Sequence, residues 1–227
     1  MRFLCLHGIG TSTAILETQL AALRYRLGEG YEYEYIEGSL TCSPSRGIEE
    51  AFGRQEEYYA YFDASVPSIL KAVNDLVDFL DSEGPFDGVI GFSQGGALAL
   101  TLIAAEERGL LSPPLSDRTS VSPHRRLRCA ILLSCGLPWD YAALQAGKSR
   151  RLTPNQDGCS IHLPMVHFWG ENDEEGFPGN HDATLLCDES SRVEFVHTAG
   201  HGVPSGSKAG EVDAMALAVE SMIQSIA

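Results

Sequence analysis

The stretch Gly91-Phe92-Ser93-Gln94-Gly95-Gly96 (GFSQGG) decides the fold of this chain. It follows the apolar run FDGVI (86–90) and opens a run of small residues, GGALA (95–99). Glycine stands two residues before and two residues after Ser93, where a loop that only had to turn could use Asn, Asp or Pro. Glycines at both flanks indicate either a close approach of neighbouring backbone or a strained conformation at the serine itself.

The setting of this motif, between a strand and a helix, predicts a nucleophile elbow. Such a sharp turn holds Ser93 in an unfavourable backbone region with its hydroxyl above the sheet. Side chains at Gly91 and Gly95 would collide with the neighbouring strand and helix. The first turn of the helix supplies N–H groups, and its dipole favours developing negative charge. The G-x-S-x-G spacing alone is weak, so a phosphate-binding or purely structural glycine turn stays open as the alternative.

Apolar runs of strand length alternate with helical stripes along the rest of the chain. The alternation of strand and helix predicts an α/β architecture, a mostly parallel sheet with helices on both faces. A length of 227 residues suits a single domain over 1–227. The predicted strands are 2–6, 31–38, 86–90, 127–136, 163–170 and 191–197, and the predicted helices are 11–27, 66–83, 95–107 and 209–226.

Two long segments, 38–65 and 136–162, interrupt the alternation after strands. They leave the sheet at its carboxyl edge, where ligands bind in such folds, and are predicted to be lid-like insertions over the active site. A third segment, 111–126, is rich in Pro and Ser and enters a strand, so we expect a mobile surface loop at the opposite edge. Aromatic and apolar side chains of the two insertions could line an acyl pocket or pack on the core: Tyr58, Tyr59, Tyr61, Phe62, Leu137 and Trp139.

Composition and charge exclude several classes of partner. Hydrophobic residues make up 44% and charged residues 21% of the chain, which is typical of a globular protein. The formal net charge of −15 repels nucleic acids and anionic membranes, so neither is an expected partner. None of the six cysteines forms a C-x-x-C pair, which indicates reduced thiols without a zinc site or other cofactor. With no signal-peptide leader and no run of 18 apolar residues, the expected location is cytoplasmic.

A serine nucleophile needs a base, and the base needs an acid that orients it. Behind a nucleophile elbow the acid comes next in the chain and the histidine last. His201, with glycine on both sides in AGHGVP after the last predicted strand, is the favoured base, and His197 is the alternative. Asp173, in GENDEEG after the predicted strand 163–170, is the favoured acid. The neighbouring acidic residues are expected to form a solvated turn: Glu171, Glu174 and Glu175.

The negative charge that develops on an attacked carbonyl oxygen needs two N–H donors. The backbone of Gln94, directly after the nucleophile, is the first candidate. The second is the backbone of Ile9, in the loop HGIG that follows the first predicted strand. His7 is the first residue of this loop and is expected to be a structural residue.

Four stretches, in this order and spacing, resemble the FSH-type serine hydrolases of the α/β-hydrolase superfamily: LCLHGIGTS, GFSQGGALA, FWGENDEE and AGHGVP. The resemblance runs from residue 2 to the last predicted helix. It implies that Ser93 is the nucleophile, Asp173 the acid and His201 the base. The stretch YYAYF (58–62) is similar to an aromatic stretch that the family carries over its active site.

The resemblance implies hydrolysis of acyl esters or thioesters through an acyl-enzyme. The role it favours is a thioesterase that releases a polyketide or other acyl chain from an acyl carrier protein domain of a polyketide synthase. A carboxylesterase that acts on small esters without a carrier partner would use the same mechanism and stays open. A binding module with a decayed triad is disfavoured, because every group of the site is present. If the two insertions roof Ser93, medium or long acyl chains should be preferred over acetyl.

Overall fold

The computed structural model describes residues 1–113, 125–176 and 178–226. The strands are β1 (Arg2–Leu6), β2 (Glu32–Ile36), β3 (Leu40–Cys42), β4 (Tyr58–Ala60), β5 (Gly88–Phe92), β6 (Cys129–Leu133), β7 (Met165–Gly170) and β8 (Arg192–His197). The α-helices are α1 (Thr13–Leu27), α2 (Ile48–Phe52), α3 (Val66–Glu83), α4 (Gln94–Glu107), α5 (Tyr141–Gln145), α6 (Pro154–Asp157), α7 (Gly179–Leu185) and α8 (Ala209–Ser225), with a 3₁₀ turn at Gly206–Lys208. Within these described ranges, no helix has both the length and the apolar character needed to cross a bilayer.

The central sheet has six strands in the order β2-β1-β5-β6-β7-β8, and each neighbouring pair is parallel. This confirms the predicted parallel α/β architecture. The register aligns Leu6 with Gly91, and Phe92 with Leu133. Because the carboxyl ends of these strands reach the same edge, the residues that follow β5, β7 and β8 meet there.

Alternate side chains of each strand face two different hydrophobic clusters. In β1, Leu4 and Leu6 pack with α3 and α4, whereas Phe3 and Cys5 pack with α1 and α8. Helices therefore cover both faces of the sheet. This double burial explains why the central strands read as continuous apolar runs rather than as alternating ones.

The segments 38–65 and 136–162 contain short elements that the sequence did not predict. In 38–65, β3 and β4 form a separate antiparallel hairpin, and α2 lies between them in the chain. A bridge between Thr11 and Tyr59 attaches this hairpin to the loop after β1. In 136–162, Arg150 pairs with Asp140 and Asp157 and links α5 to α6.

The predicted strand 86–90 lies two residues too early. Phe86 is buried in the core, but the ladder begins at Gly88, which pairs with Phe3 and Cys129. It continues through Gly91 and Phe92, so the strand runs to the residue before Ser93. The apolar residues of 86–92 show which part of the chain is buried. The bounds of the strand depend instead on which residues pair with β1 and β6.

The predicted surface loop 111–126 falls partly outside the described residues, which exclude 114–124 and with them His124. Its last residue, Arg126, is buried, whereas the prediction placed it in a surface loop. Arg126 is 2% exposed, and its guanidinium pairs with Asp81 of α3 at 2.8 Å and Glu106 of α4 at 2.9 Å. A buried guanidinium with two carboxylate partners anchors this end of the segment to the protein, so the surface loop ends before Arg126.

Candidate active site

Ser93 stands on the turn between β5 and α4. Its φ of 51° and ψ of −112° are strained for a residue with a side chain. A Cβ on Gly91 would lie 2.6 Å from the Cα of Gly96, and a Cβ on Gly95 would lie 2.4 Å from the carbonyl oxygen of Leu6. These are the collisions that the sequence predicts, and glycine at both positions lets the turn close.

His201 joins Ser93 to Asp173 at the carboxyl edge of the sheet. Its Nε2 lies 2.9 Å from Ser93 Oγ, and its Nδ1 lies 2.8 Å from Asp173 Oδ2 and 3.0 Å from Oδ1. An imidazole that donates from Nδ1 to a carboxylate presents an Nε2 lone pair to the serine hydroxyl. The Asp173 side chain is fully buried and that of His201 is 22% exposed. The arrangement can move a proton from the serine to the imidazole.

The Asp173 carboxylate is held by two residues that sequence reasoning missed. Asn180 Nδ2 donates to Oδ2 at 3.0 Å, and Gly176 N–H donates to Oδ1 at 2.8 Å. These donors satisfy a charge that has no access to water. The spacing Asp-x-x-Gly over 173–176 is typical of a type I turn and could have identified Gly176. Asn180 lies on α7, a helix that was not predicted, and carries no such signal.

His197, the alternative base, is the last residue of β8 and is buried. Its Nδ1 accepts a hydrogen bond from the backbone N–H of Ala199 at 3.2 Å. Burial lowers the pKa of His197, which favours a neutral ring. Among the described residues, no hydrogen bond joins it to Ser93.

The two predicted oxyanion donors both lie near Ser93. Ile9 lies in the loop after β1 and lines a cavity together with Ser93. Gln94 is the first residue of α4, where backbone N–H groups have no partner within the helix. In the described part of the chain, neither backbone N–H donates to a protein acceptor. Both are therefore available to a negatively charged oxygen.

The loop that carries Ile9 is clamped from two sides. Ser45 Oγ donates to the Ile9 carbonyl at 2.6 Å, and Ser45 N–H donates to the Gly10 carbonyl at 3.0 Å. On the other side, Gly10 N–H donates to the Tyr59 carbonyl at 2.9 Å. Gly10 has a φ of 65°, and a Cβ there would lie 2.4 Å from the Ser45 nitrogen. The segment 38–65 thus fixes the position of the Ile9 N–H.

His7 is buried at the base of this loop. Its Nε2 lies 3.0 Å from the Gly38 nitrogen and 2.9 Å from Glu37 Oε1, and its Nδ1 lies 2.7 Å from the Gly8 carbonyl oxygen. Burial lowers the pKa of His7. These bonds join β1 to the start of the segment 38–65, and a structural role is what the sequence predicts for this residue.

Two of the predicted pocket residues, Tyr61 and Phe62, lie in the core. The Tyr61 hydroxyl accepts from His7 N–H at 3.0 Å and donates to the Ile36 carbonyl at 2.8 Å. The side-chain amide of Gln94 accepts from Tyr61 N–H and donates to the Phe62 carbonyl, both at 2.8 Å. The aromatic rings therefore pack inward, which is the alternative that the sequence left open.

The other four predicted pocket residues lie apart from Ser93. Tyr58 is buried against Ile15 and Ile48, and the Tyr59 hydroxyl donates to Glu57 at 2.6 Å. Leu137 and Trp139 are half-buried and pack against the core. None of the six predicted residues lines the cavity that contains Ser93.

A cavity of about 80 Å³ contains Ser93 and His201 and is also lined by Ile9, Arg46 and Glu175. It adjoins a groove of about 450 Å³ between α1 and α2. A larger depression of about 620 Å³ between α1 and β2 contacts neither Ser93 nor His201. The walls of both the cavity and the groove include Gln19, Arg46, Ile48 and His201.

Metal-ligating groups are not brought together in the part of the chain that the structure describes. The six cysteines are free thiols. Cys135 lies behind the turn at Ser93. A Cβ on Gly96 would lie 2.9 Å from the Cβ of Cys135. Burial raises the pKa of Cys135, which keeps the thiol protonated.

Comparison with known proteins identifies sequence relatives over most of the chain. The family described as "Serine hydrolase (FSH1)" matches residues 1–212. The chain is 38% identical to Esterase FPY3 of Fusarium mangiferae over 226 residues, which covers 98% of this chain and 97% of that one. It is 34% identical to the dihydromonacolin L-[lovastatin nonaketide synthase] thioesterase of Aspergillus terreus over 198 residues, 75% of this chain and 72% of that one.

Among solved structures, the chain resembles SOBER1 of Arabidopsis thaliana with a TM-score of 0.60. The match covers 98% of this chain and 99% of that one at 15% sequence identity. The acyl-protein thioesterase 2 of Zea mays matches with a TM-score of 0.58 at 18% identity, over 98% of this chain and 93% of that one. At such identities the likeness concerns the fold, which is that of the α/β-hydrolases.

Proposed function

Because the chain belongs to the FSH1 family of serine hydrolases, we propose that Ser93, His201 and Asp173 are the triad with which it cleaves acyl esters and thioesters. The observation that carries this proposal is the hydrogen-bonded row from Ser93 Oγ to His201 Nε2 and from His201 Nδ1 to Asp173 Oδ2, at 2.9 and 2.8 Å. The strained turn at Ser93 and the free N–H groups of Ile9 and Gln94 support it.

In the acylation half-reaction, His201 Nε2 takes the proton of Ser93 Oγ as this oxygen attacks the carbonyl carbon. The carbonyl oxygen becomes an anion and accepts hydrogen bonds from the N–H groups of Ile9 and Gln94. The buried Asp173 carboxylate stabilises the imidazolium that forms. His201 then gives this proton to the leaving oxygen or sulfur, and the bond to the leaving group breaks.

In the deacylation half-reaction, a water molecule occupies the place that the leaving group has left. His201 Nε2 takes a proton from this water as its oxygen attacks the acyl carbon. The second tetrahedral intermediate uses the same two N–H donors. His201 returns the proton to Ser93 Oγ, and the acid is released with the hydroxyl of water on its acyl carbon.

At the level of the substrate, the function we propose is release of a polyketide or other acyl chain from the acyl carrier protein domain of a polyketide synthase. The support is the relative from Aspergillus terreus, whose name describes a thioesterase of the lovastatin nonaketide synthase. A thioester suits the site, since a thiolate leaves without full protonation by His201. The expected partner is accordingly an acyl carrier domain.

The second candidate is a carboxylesterase that acts on small esters without a carrier. The charge of this protein favours it, since carrier domains are usually acidic and this chain has a formal charge of −15. The side chain of Glu175 lines the catalytic cavity, and Glu49 and Glu50 are exposed on α2 beside the groove. An acidic carrier would meet these carboxylates as it docks.

Labelling with a fluorophosphonate tests the nucleophile. We expect the probe on Ser93, and Ser93→Ala should lose labelling and several powers of ten of thioester hydrolysis with an unchanged unfolding midpoint. Ser221→Ala, at an exposed serine of α8, is the matched control and should keep both the labelling and the thioester hydrolysis. A label on another serine, or hydrolysis that survives Ser93→Ala, contradicts the proposed triad.

The two substrate-level candidates differ in the effect of the carrier. An octanoyl chain is presented as the thioester of an isolated acyl carrier domain from a fungal polyketide synthase and as the thioester of free pantetheine. A higher kcat/KM for the carrier-bound chain supports release from a carrier. Equal or lower kcat/KM for the carrier-bound chain favours the carboxylesterase.

A further inference from the structure

A groove of about 450 Å³ adjoins the catalytic cavity and runs between α1 and α2 to the residues that follow His201. It shares Gln19, Arg46, Ile48 and His201 with the cavity, so the same side chains form the boundary of both spaces. Its walls carry apolar side chains from both helices and from the loop beyond His201: Ala21, Ala22, Ile48, Ala51, Phe52 and Val203.

The position of His201 indicates which part of the substrate lies towards this groove. The groove is lined by His201, Gly202 and Val203, whereas Ser93 and Ile9 line only the cavity. Under the proposed mechanism, on which this argument rests, His201 Nε2 gives its proton to the leaving atom. The leaving group must therefore lie on the His201 side, and the carbonyl oxygen on the side of Ile9 and Gln94.

We propose that the groove between α1 and α2 binds the leaving group of the substrate, and that this group is an elongated alcohol or thiol with an apolar body. The leaving oxygen or sulfur takes its proton from His201 as its bond to the acyl carbon breaks, and the free alcohol or thiol then departs along the groove. A free alkyl alcohol or thiol and the pantetheine arm of a carrier share this elongated form. The acyl chain occupies a different part of the catalytic edge.

A series of butanoyl thioesters tests the proposal, with ethanethiol, butanethiol, hexanethiol and octanethiol as leaving groups. These thiols have nearly the same acidity, so their intrinsic reactivity is constant along the series. The ratio kcat/KM reports the steps up to acylation and hence the binding of the leaving group. We expect it to rise by about two- to fourfold per added methylene until the groove is filled.

Two substitutions fill the groove from opposite walls. Ala51→Trp on α2 and Ala21→Trp on α1 replace exposed alanines, so each can be accommodated without disturbing the core. We expect both to flatten the dependence of kcat/KM on leaving-group length. Leu217→Trp, at a residue of α8 that is 66% exposed, is the matched control. It should show the same dependence of kcat/KM on leaving-group length as the unmodified protein.

A second series keeps ethanethiol as the leaving group and lengthens the acyl chain. The slope with acyl length should be the same in Ala51→Trp and in the unmodified protein. The proposal is overturned if this slope is lost, if both tryptophan variants keep the leaving-group slope, or if the unmodified protein shows no such slope. Failure of the proposed triad is a separate result, namely hydrolysis of the ethyl thioester that survives Ser93→Ala.

The butanoyl thioester of pantetheine distinguishes the two sources of the leaving group. A gain over the ethyl thioester that disappears in Ala51→Trp supports the pantetheine arm of a carrier. A gain confined to the alkyl thiols supports a free alcohol or thiol as the natural leaving group. Either result supports the groove as the leaving-group site.

Discussion

The imidazole of His201 reaches Ser93 because its loop lies directly against the loop that carries Asp173. A Cβ on Gly170 would come within 2.3 Å of the Gly200 carbonyl oxygen, so the two backbones touch without an intervening side chain. Phe92 packs beside the imidazole, with ring centroids 5.5 Å apart. The position of the His201 imidazole is thus set by glycines and one aromatic ring.

Substitution of the two C-terminal histidines separates a catalytic from a structural role. We expect His201→Ala to lose as much kcat/KM as Ser93→Ala, since triad members act as a unit, and Asp173→Asn to lose somewhat less. His197→Ala removes a buried ring and should cost about 1–3 kcal/mol of unfolding free energy while catalysis persists. Steady-state kinetics and urea unfolding of each variant measure the two effects. An inactive His197→Ala with unchanged stability would reverse the assignment.

At the scale of single residues, the sequence predicts those site residues that can be recognised from their spacing and their order along the chain. The glycines around Ser93 and His201, and the order serine, acid, histidine, lead to the three side chains that the structure brings together. Asn180 is not predictable in this way, because an amide in an unmarked helix has no spacing rule. Tyr61 could not be placed from the sequence for a different reason. A tyrosine can line a pocket, or it can be buried with its hydroxyl in hydrogen bonds, as Tyr61 is.

Among the structural elements, the loop after β1 depends on the segment 38–65 for its position. Ser45→Ala removes the hydroxyl that donates to the Ile9 carbonyl. We expect kcat to fall about tenfold, since a displaced Ile9 N–H stabilises the oxyanion less well, with little change in KM. Ser45→Thr keeps the hydroxyl and should restore most of the rate.

The matched control for this prediction is Ser43→Ala, two residues away on the same exposed segment. It should leave both kcat and KM close to those of the unmodified protein. An equal loss in Ser43→Ala and Ser45→Ala, or a loss that appears in KM alone, would show that the clamp does not position the Ile9 N–H.

Elements of the central sheet and its long helices are predictable because they bury apolar residues with a clear period. The short elements are not. The strands β3 and β4 have three residues each and α2 has five, too few for a period to be recognised. Helix α7 presents no apolar stripe in GNHDATL, and its place is fixed by Asn180 and its tertiary contacts.

On the scale of the whole molecule, three histidines of the described ranges are buried: His7, His167 and His197. Burial lowers the pKa of each, and that of His167 falls to about 3 from an ordinary value of 6.5. Between these two pKa values the unfolded chain binds a proton at this position that the folded protein does not. The free energy of unfolding therefore falls as the pH decreases from about 6.5 towards 3.

His167→Gln should reduce this sensitivity to acid. The contribution of one such histidine amounts to about 2 kcal/mol at pH 5, so the loss of unfolding free energy between pH 7.5 and 5 should be smaller by about that amount. Urea unfolding at the two pH values measures it. His162→Gln, at an exposed histidine, is the matched control and should keep the slope of the unmodified protein. The same slope in His167→Gln would contradict the prediction.

The side-chain amide of Gln94, the residue that follows Ser93, holds the backbone of Tyr61 and Phe62. Together with Ser45, it anchors the segment 38–65 on both sides of α2. Loop grafting can accordingly replace the stretch from Arg46 to Glu57, with Ser45 retained at one end and β4 and Tyr61 at the other. Libraries built between those ends would vary the α2 wall of the groove and the Arg46 and Ile48 side of the cavity, while the hydrogen bonds to Ile9 and Gln94 are kept.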